Sequence, residues 1–206
     1  IIILIKRSSK KFINNLLSQN SNWNILDIGC GYTAHKNSTV VCDIQNLSSF
    51  YKDKKFIKLS GGKLPFKNNE FDFVIASHVI EHVKDVDFFI KELERVAPKG
   101  YIELPTILED NMVFENEIDH LWHMEFDDDK NELLISKKIQ FLKPILTVSS
   151  AKKLLKYFRQ SLVIELIWEN SIEFNMIEKN VENIENLSRL TLARKFFSKL
   201  FRNLIR

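Results

Sequence analysis

Residues 24–35 read NILDIGCGYTAH: a short apolar run, an acid at Asp27, and two glycines, Gly29 and Gly31, directly behind it. A buried strand that ends in a glycine turn constrains the fold more than any other segment here. It marks the carboxyl edge of an open α/β sheet, where backbone can approach a ligand closely. Further strand candidates lie at 39–43, 55–59, 71–76 and 99–104. Between the last two, residues 85–96 have helical spacing, with Val86, Phe89, Ile90, Leu93 and Val96 on one side and Pro98 as the stop. Interleaved strands and helices predict an open, mainly parallel sheet with helices on both faces. Beyond a helix at 149–159, the runs 162–168 and 172–177 are close enough to pair as a C-terminal antiparallel hairpin, which makes the sheet mixed.

Only a short stretch joins the glycine turn to the strand at 39–43, less than a helical crossover needs. An irregular loop is expected there. A chain of 206 residues reads as one domain, and 45% hydrophobic with 11% aromatic residues suffices for a sizeable core. The formal charge of +3 does not by itself announce a nucleic-acid binder. Two cysteines, Cys30 and Cys42, have neither CxxC spacing nor a disulfide pattern, which points to a reducing, cytoplasmic setting. The apolar start, Ile1 to Ile5, is followed at once by Lys6 and Arg7, far short of the roughly 20 residues of a membrane span.

Gly29-x-Gly31-x-x-Ala34 fits a loose dinucleotide fingerprint, but that reading wants a full helix after the glycines and an acid about 20 residues on. Asp43 comes too soon. At the end of the next strand its carboxylate suits the two hydroxyls of a ribose, so glycine turn and terminal acid together read as a nucleoside cleft.

Downstream, residues 63–96 carry Leu64-Pro65-Phe66, then Phe71-Asp72, Val79-Ile80-Glu81-His82 and Glu92-Leu93-Glu94-Arg95-Val96. With Asp27-x-Gly29-x-Gly31 and Asp43, this ordered set over residues 22–105 resembles the class I S-adenosylmethionine-dependent methyltransferases. The resemblance implies a Rossmann-like fold and S-adenosylmethionine as cofactor. Asp27, Gly29, Cys30 and Gly31 would lie beside its methionine part and Asp43 at the ribose. Ser60 and Leu64 would border the adenine, and Ser77 and His78 would face the reactive methyl. Departures are Ser60-Gly61-Gly62 where many relatives carry an acid, Thr33 in place of a third glycine, and Pro98-Lys99-Gly100 for Pro-Gly-Gly. The implied plan is a single methyltransferase domain over 1–206: a cofactor core at 18–105, a substrate-side insertion or lid at 106–148, sheet completion at 149–188, and a basic amphipathic helix at 189–206.

Methyl transfer to oxygen needs alignment and a proton acceptor. Four of the five histidines fall in pairs, His78 with His82 and His120 with His123. His78, His82 and His123 are taken as the catalytic candidates, and no residue is assigned as a metal ligand. The alternative is a metal-assisted RNA-end methyltransferase, with His78, Glu81 and His82 on one helical face and His120 and His123 nearby. A non-catalytic binding member of the fold is a second rival. Acidic residues from Glu109 to Asp129 make nucleic acid an unfavourable acceptor, and a small molecule or glycan precursor is expected. The segment 189–206 holds six Arg or Lys and no acid, with apolar residues at helical spacing; such a helix suits peripheral contact with the inner face of a membrane.

Overall fold

The computed structural model describes residues 4–179 and 188–204. Seven strands form one sheet: β1 (Leu4–Arg7), β2 (Ile25–Ile28), β3 (Val40–Asp43), β4 (Lys55–Lys58), β5 (Phe73–Ser77), β6 (Lys99–Pro105) and, late in the chain, β9 (Val163–Glu169). A small second sheet is made by β7 (Trp122–Asp127), β8 (Glu132–Lys137) and β10 (Phe174–Ile177). Helices are α1 (Lys10–Gln19), α2 (Val86–Val96), α3 (Ile107–Met112), α4 (Phe114–Asp119), α5 (Val148–Leu162) and α6 (Arg189–Leu204), with a single 3-10 turn at Ile80–His82.

The large sheet runs in the order β1-β9-β6-β5-β2-β3-β4. From β4 to β6 the pairings are parallel; β9 is antiparallel to both β6 and β1. Each residue of β2 and β3 is buried, as strands covered on both faces require. The order reverses between β2 and β5, so the carboxyl ends of these two strands flank the crevice of the topological switch point. That crevice places the Gly29 turn opposite Ser77 and His78.

The fold class is the one expected, mainly parallel with an antiparallel C-terminal part, but the hairpin is not formed. Strand 162–168 corresponds to β9, and both its edges are occupied, by β6 on one side and β1 on the other. Leu4–Arg7, with Ile5 at 1% exposure, supplies that edge strand. The run at 172–177 therefore turns away near Asn170, which has a positive φ of 68°, and becomes β10, parallel to β8 in the small sheet. Met124, Phe126, Leu133 and Ile135 of the small sheet join the same buried cluster as Val86, Phe89 and Ile90 of α2. The region expected as a lid is thus anchored to the core. Of the sheet-completion segment, 180–187 lie outside the described residues, as do 205–206 of the basic helix.

The connection from β2 to β3 holds no helix, as its length demanded. Side chains replace the missing helical hydrogen bonds. The His35 N–H donates to Asp27 Oδ2 at 2.7 Å, the Gly31 N–H to Asp43 Oδ2 at 2.9 Å, and the Ala34 N–H to the Tyr51 hydroxyl at 3.0 Å. The LPF loop is held in a similar way from α2. Buried Glu92 accepts the Leu64 N–H at 2.6 Å and is paired with Arg95, whose guanidinium donates to the carbonyls of Leu64 and Phe66. The E-L-E-R segment is therefore the clamp on the LPF loop.

Candidate active site

A cavity of about 970 Å³ opens at the switch point. One end is lined by Asp27, Gly29, Cys30, Gly31 and Ala34 from the glycine turn, with Lys10 and Asn14 of α1 beside them. Its middle is lined by Ser77, His78 and Glu103 at the ends of β5 and β6. The far end reaches Glu109, Glu115, Asp119 and His120 of the lid. This volume is at the top of the range for small-molecule sites, roomy enough for two ligands end to end.

The two glycines meet different demands. Gly29 has φ +63° and is packed so tightly that a Cβ there would lie 2.5 Å from Val79 Cγ2. Gly31 has φ +47°, yet a Cβ would meet nothing within 4 Å, because it borders the open cavity. Asp27 is buried at 4% exposure, and this burial raises its carboxyl to about 7 against the pull of the His35 N–H and of Lys54 and Lys10. Burial likewise pushes the Cys30 thiol up to about 11 and Cys42 higher still, so neither is a thiolate nucleophile.

His78 has a positive φ of 55°, an uncommon conformation for a residue with a Cβ. Its ring sits between two carboxylates, with Nδ1 at 3.2 Å from Glu81 Oε1 and Nε2 at 3.5 Å from Glu103 Oε1. Burial alone would lower its pKa, but Glu103 and Glu81 outweigh it and raise His78 to about 10. Glu103 is penalised by burial, yet His78 and Arg159 hold it down at about 2. Arg159 donates to Glu103 Oε2 at 2.6 Å and to Glu165 Oε1 at 3.0 Å. The Tyr101 hydroxyl lies 2.8 and 2.7 Å from the same two carboxylate oxygens. A charged floor of ion pairs and hydrogen bonds thus supports the middle of the cavity.

Other sequence-predicted residues separate. His82 is exposed and lines the cavity, with Nδ1 at 3.0 Å from the Asp119 carbonyl. His123 does not reach the cavity. It is buried in β7, stacked on Phe141, with Nε2 at 3.4 Å from Asp110 Oδ2, and burial lowers its pKa. His120 takes the place expected for His123. Two staples of the lid, the Leu121 backbone N–H to Glu81 O at 2.8 Å and the Trp122 indole Nε1–H to Val83 O at 2.8 Å, bring His120 edge-to-face against His82, ring centres 4.5 Å apart. Asp43 is buried behind the turn, accepting from Gly31 and Gln45; Leu64 is buried under the LPF loop and Ser60 is exposed. None of these three lines the cavity. Arg159 and Lys10 were not anticipated, since a basic residue on a helix face has no signal in one sequence that it pairs with a strand end.

A glycine turn at the switch point of an open parallel sheet, backed by strand-end carboxylates, defines a nucleoside-binding α/β protein. Residues 26–104 match the methyltransferase domain family, a match that supports a class I S-adenosylmethionine-dependent methyltransferase with S-adenosylmethionine as cofactor. The chain is 28% identical over 173 residues to the uncharacterized protein MJ0638 of Methanocaldococcus jannaschii, covering 75% of this chain and 76% of that one. Similar solved structures include a putative methyltransferase of Haloferax volcanii in complex with the Trm112 activator, 15% identical with TM-score 0.45 over 77% of this chain and 88% of that one. Another is a SAM-dependent methyltransferase from Aquifex aeolicus, 14% identical with TM-score 0.42 over 77% and 87%.

Proposed function

We propose that the protein transfers a methyl group from S-adenosylmethionine to an oxygen or nitrogen of a small molecule or glycan precursor. The observation that carries this reading is the continuity of one cavity from the glycine turn past Ser77 and His78 to the lid. In it, Asp27 receives the cofactor's amino group and Gly31 lies against its methionine part. Asp43 acts by holding the Gly31 turn, with the ribose expected nearby; the LPF loop, clamped by Glu92 and Arg95, lies outside the cavity lining, so its place beside the adenine rests on the family resemblance alone. His78, fixed between Glu81 and Glu103, stands where methyl and acceptor meet and has no ring nitrogen directed away from a carboxylate. Alignment and exclusion of water, rather than proton abstraction, is its contribution. The imidazoles facing the acceptor are those of His82 and His120. The acidic lid rim, Glu109, Glu115 and Asp119, disfavours a polyanionic acceptor.

The test is methyl transfer from labelled S-adenosylmethionine into cell extract separated into small-molecule, glycan, lipid and RNA fractions. Label is expected in the small-molecule or glycan fraction. Label in RNA alone would replace the acceptor assignment, and cofactor binding with no label anywhere would favour a non-catalytic binding member. We also infer that α6 lies on an anionic membrane surface. Phe197, Leu200 and Phe201 are exposed on one side of this helix, and Lys195, Lys199 and Arg202 lie on the other. Among the described residues no helix is long and apolar enough to cross a membrane.

A further inference from the structure

Glu81 is fully buried, and neither of its carboxylate oxygens has a hydrogen-bond donor. Its ion pair with His78 reaches one oxygen at 3.2 Å, from one side. A buried carboxylate left this way is costly, and so calls for an explanation. On its other side stand two imidazoles whose tautomers are set. A backbone carbonyl only accepts, so the contact of His82 Nδ1 with Asp119 O at 3.0 Å places the proton on Nδ1. His120 Nδ1 makes a short hydrogen bond to Asp110 Oδ1, which fixes it in the same sense. Each ring therefore presents Nε2 as a lone pair, the arrangement of a histidine ligand oriented by an acceptor behind it.

We propose that Glu81, His82 and His120 bind one divalent first-row cation. Their donor atoms lie within 4.8 Å of one another. Ligand bonds of about 2.0–2.2 Å close that span with small side-chain rotations. Two imidazoles and one carboxylate suit Zn²⁺, Fe²⁺ or Mn²⁺ and leave open positions. The set excludes His78, whose nitrogens face Glu81 and Glu103, and His123, which is buried on the far side of Asp110. Because Glu81 and His82 belong to the core and His120 to the lid, the cation ties lid to core. The imidazoles line the cavity, so the open positions face its acceptor end, where they suit oxygen donors of the substrate. That last assignment rests on the transferase reading; the site itself does not.

The experiment is a Co²⁺ titration of the metal-stripped protein, followed by visible d–d absorption and competition with Zn²⁺, without cofactor or acceptor. One equivalent is expected to bind with the spectrum of mixed nitrogen and oxygen ligation. His82→Asn, at an exposed side chain, and Glu81→Gln should each weaken binding at least tenfold in protein that circular dichroism shows to be folded. Asp110→Asn, which removes the carboxylate that orients His120 and also pairs with His123 and Lys138, should weaken it about tenfold in protein that circular dichroism shows to be folded. Absence of a saturable site in the wild type, or unchanged affinity in both ligand variants, overturns the proposal. A protein that transfers methyl groups but binds no Co²⁺ overturns the metal site alone. One that binds Co²⁺ as expected but never transfers a methyl group overturns the transferase reading alone.

Discussion

Substituting alanine at Gly29 and at Gly31 should break two different things, although the glycines stand one residue apart at similar positive φ. Any L-residue in the left-handed region costs about 1–2 kcal/mol, and both variants carry that cost. At Gly29 the new methyl group would also lie 2.5 Å from Val79 Cγ2, next to the 3-10 turn. Overpacking of this kind adds about 1–3 kcal/mol, for a total of about 2–5 kcal/mol. In a chain of this length, that lowers Tm by roughly 5–20 °C. At Gly31 the methyl group enters empty space, so stability falls only by the backbone cost, while the cavity wall against the cofactor gains an atom. Thermal melting by circular dichroism, with and without saturating S-adenosylhomocysteine, separates the two. Gly29→Ala should melt early, and Val79→Ala in the same chain should recover part of the loss as a measurable coupling. Gly31→Ala should melt close to wild type but lose most of the ligand-induced rise in Tm, because that rise scales with affinity. If Gly31→Ala binds as well as wild type, the cavity beside the turn is not the cofactor's. If Val79→Ala recovers nothing, the packing argument for Gly29 fails.

Two further outcomes follow. The Asp27 carboxyl, raised to about 7 from 3.8, binds a proton in the folded state that the unfolded chain has already lost, so its contribution to stability declines as pH rises through that window. A cationic amine beside it selects the ionised form, so S-adenosylhomocysteine affinity measured by calorimetry should rise about tenfold per pH unit up to 7 and then level. Asp27→Asn should abolish this slope, and a slope that persists removes Asp27 from the amine site. For α6, co-sedimentation with anionic vesicles should be lost when the chain is cut after Ser188 or when salt is raised, and binding to neutral vesicles should be weak; equal binding to both vesicle types refutes the electrostatic part.

The glycine-turn end of the cavity was legible because its constraints are local, whereas Asp43, Ser60 and Leu64 do not line it. A glycine at a strand end, an acid one strand over and the missing crossover helix all follow from short-range backbone geometry. The E-L-E-R motif was legible as a pattern but not as a clamp, since its partner is a loop far away in sequence. The acceptor side depended on pairing across the chain. His120 and His123 are indistinguishable in DHLWHMEF, and only the burial of His123 against Asp110 and Phe141 and the staple from Leu121 to Glu81 decide which one faces the cavity. The edge of the sheet was misread for a similar reason. An apolar run of a few residues can be an edge strand or a frayed end, and only β9 in need of a neighbour makes Ile5 a strand residue.

The buried carboxylates at the strand ends are not equivalent, and their differences argue for what the site holds. Glu103 is satisfied inside the protein by Arg159, His78 and Tyr101, so its charge has been neutralised by the fold itself. Asp43 is spent on the N–H groups of Gly31 and Gln45. Asp27 has one backbone donor and carries the cost of burial as a raised pKa, and Glu81 has no hydrogen-bond donor at all. Glu81 does have an ion pair, with His78 at 3.2 Å, but a buried carboxylate with so few hydrogen-bond donors remains costly. The two acids with the fewest donors are Asp27, which lines the glycine-turn end of the cavity, and Glu81, which is buried beside His78. A positive group at each, the cofactor's amine at Asp27 and a divalent cation at Glu81, would complete electrostatics that the polypeptide leaves open, with His78 fixed beside Glu81 where the methyl passes.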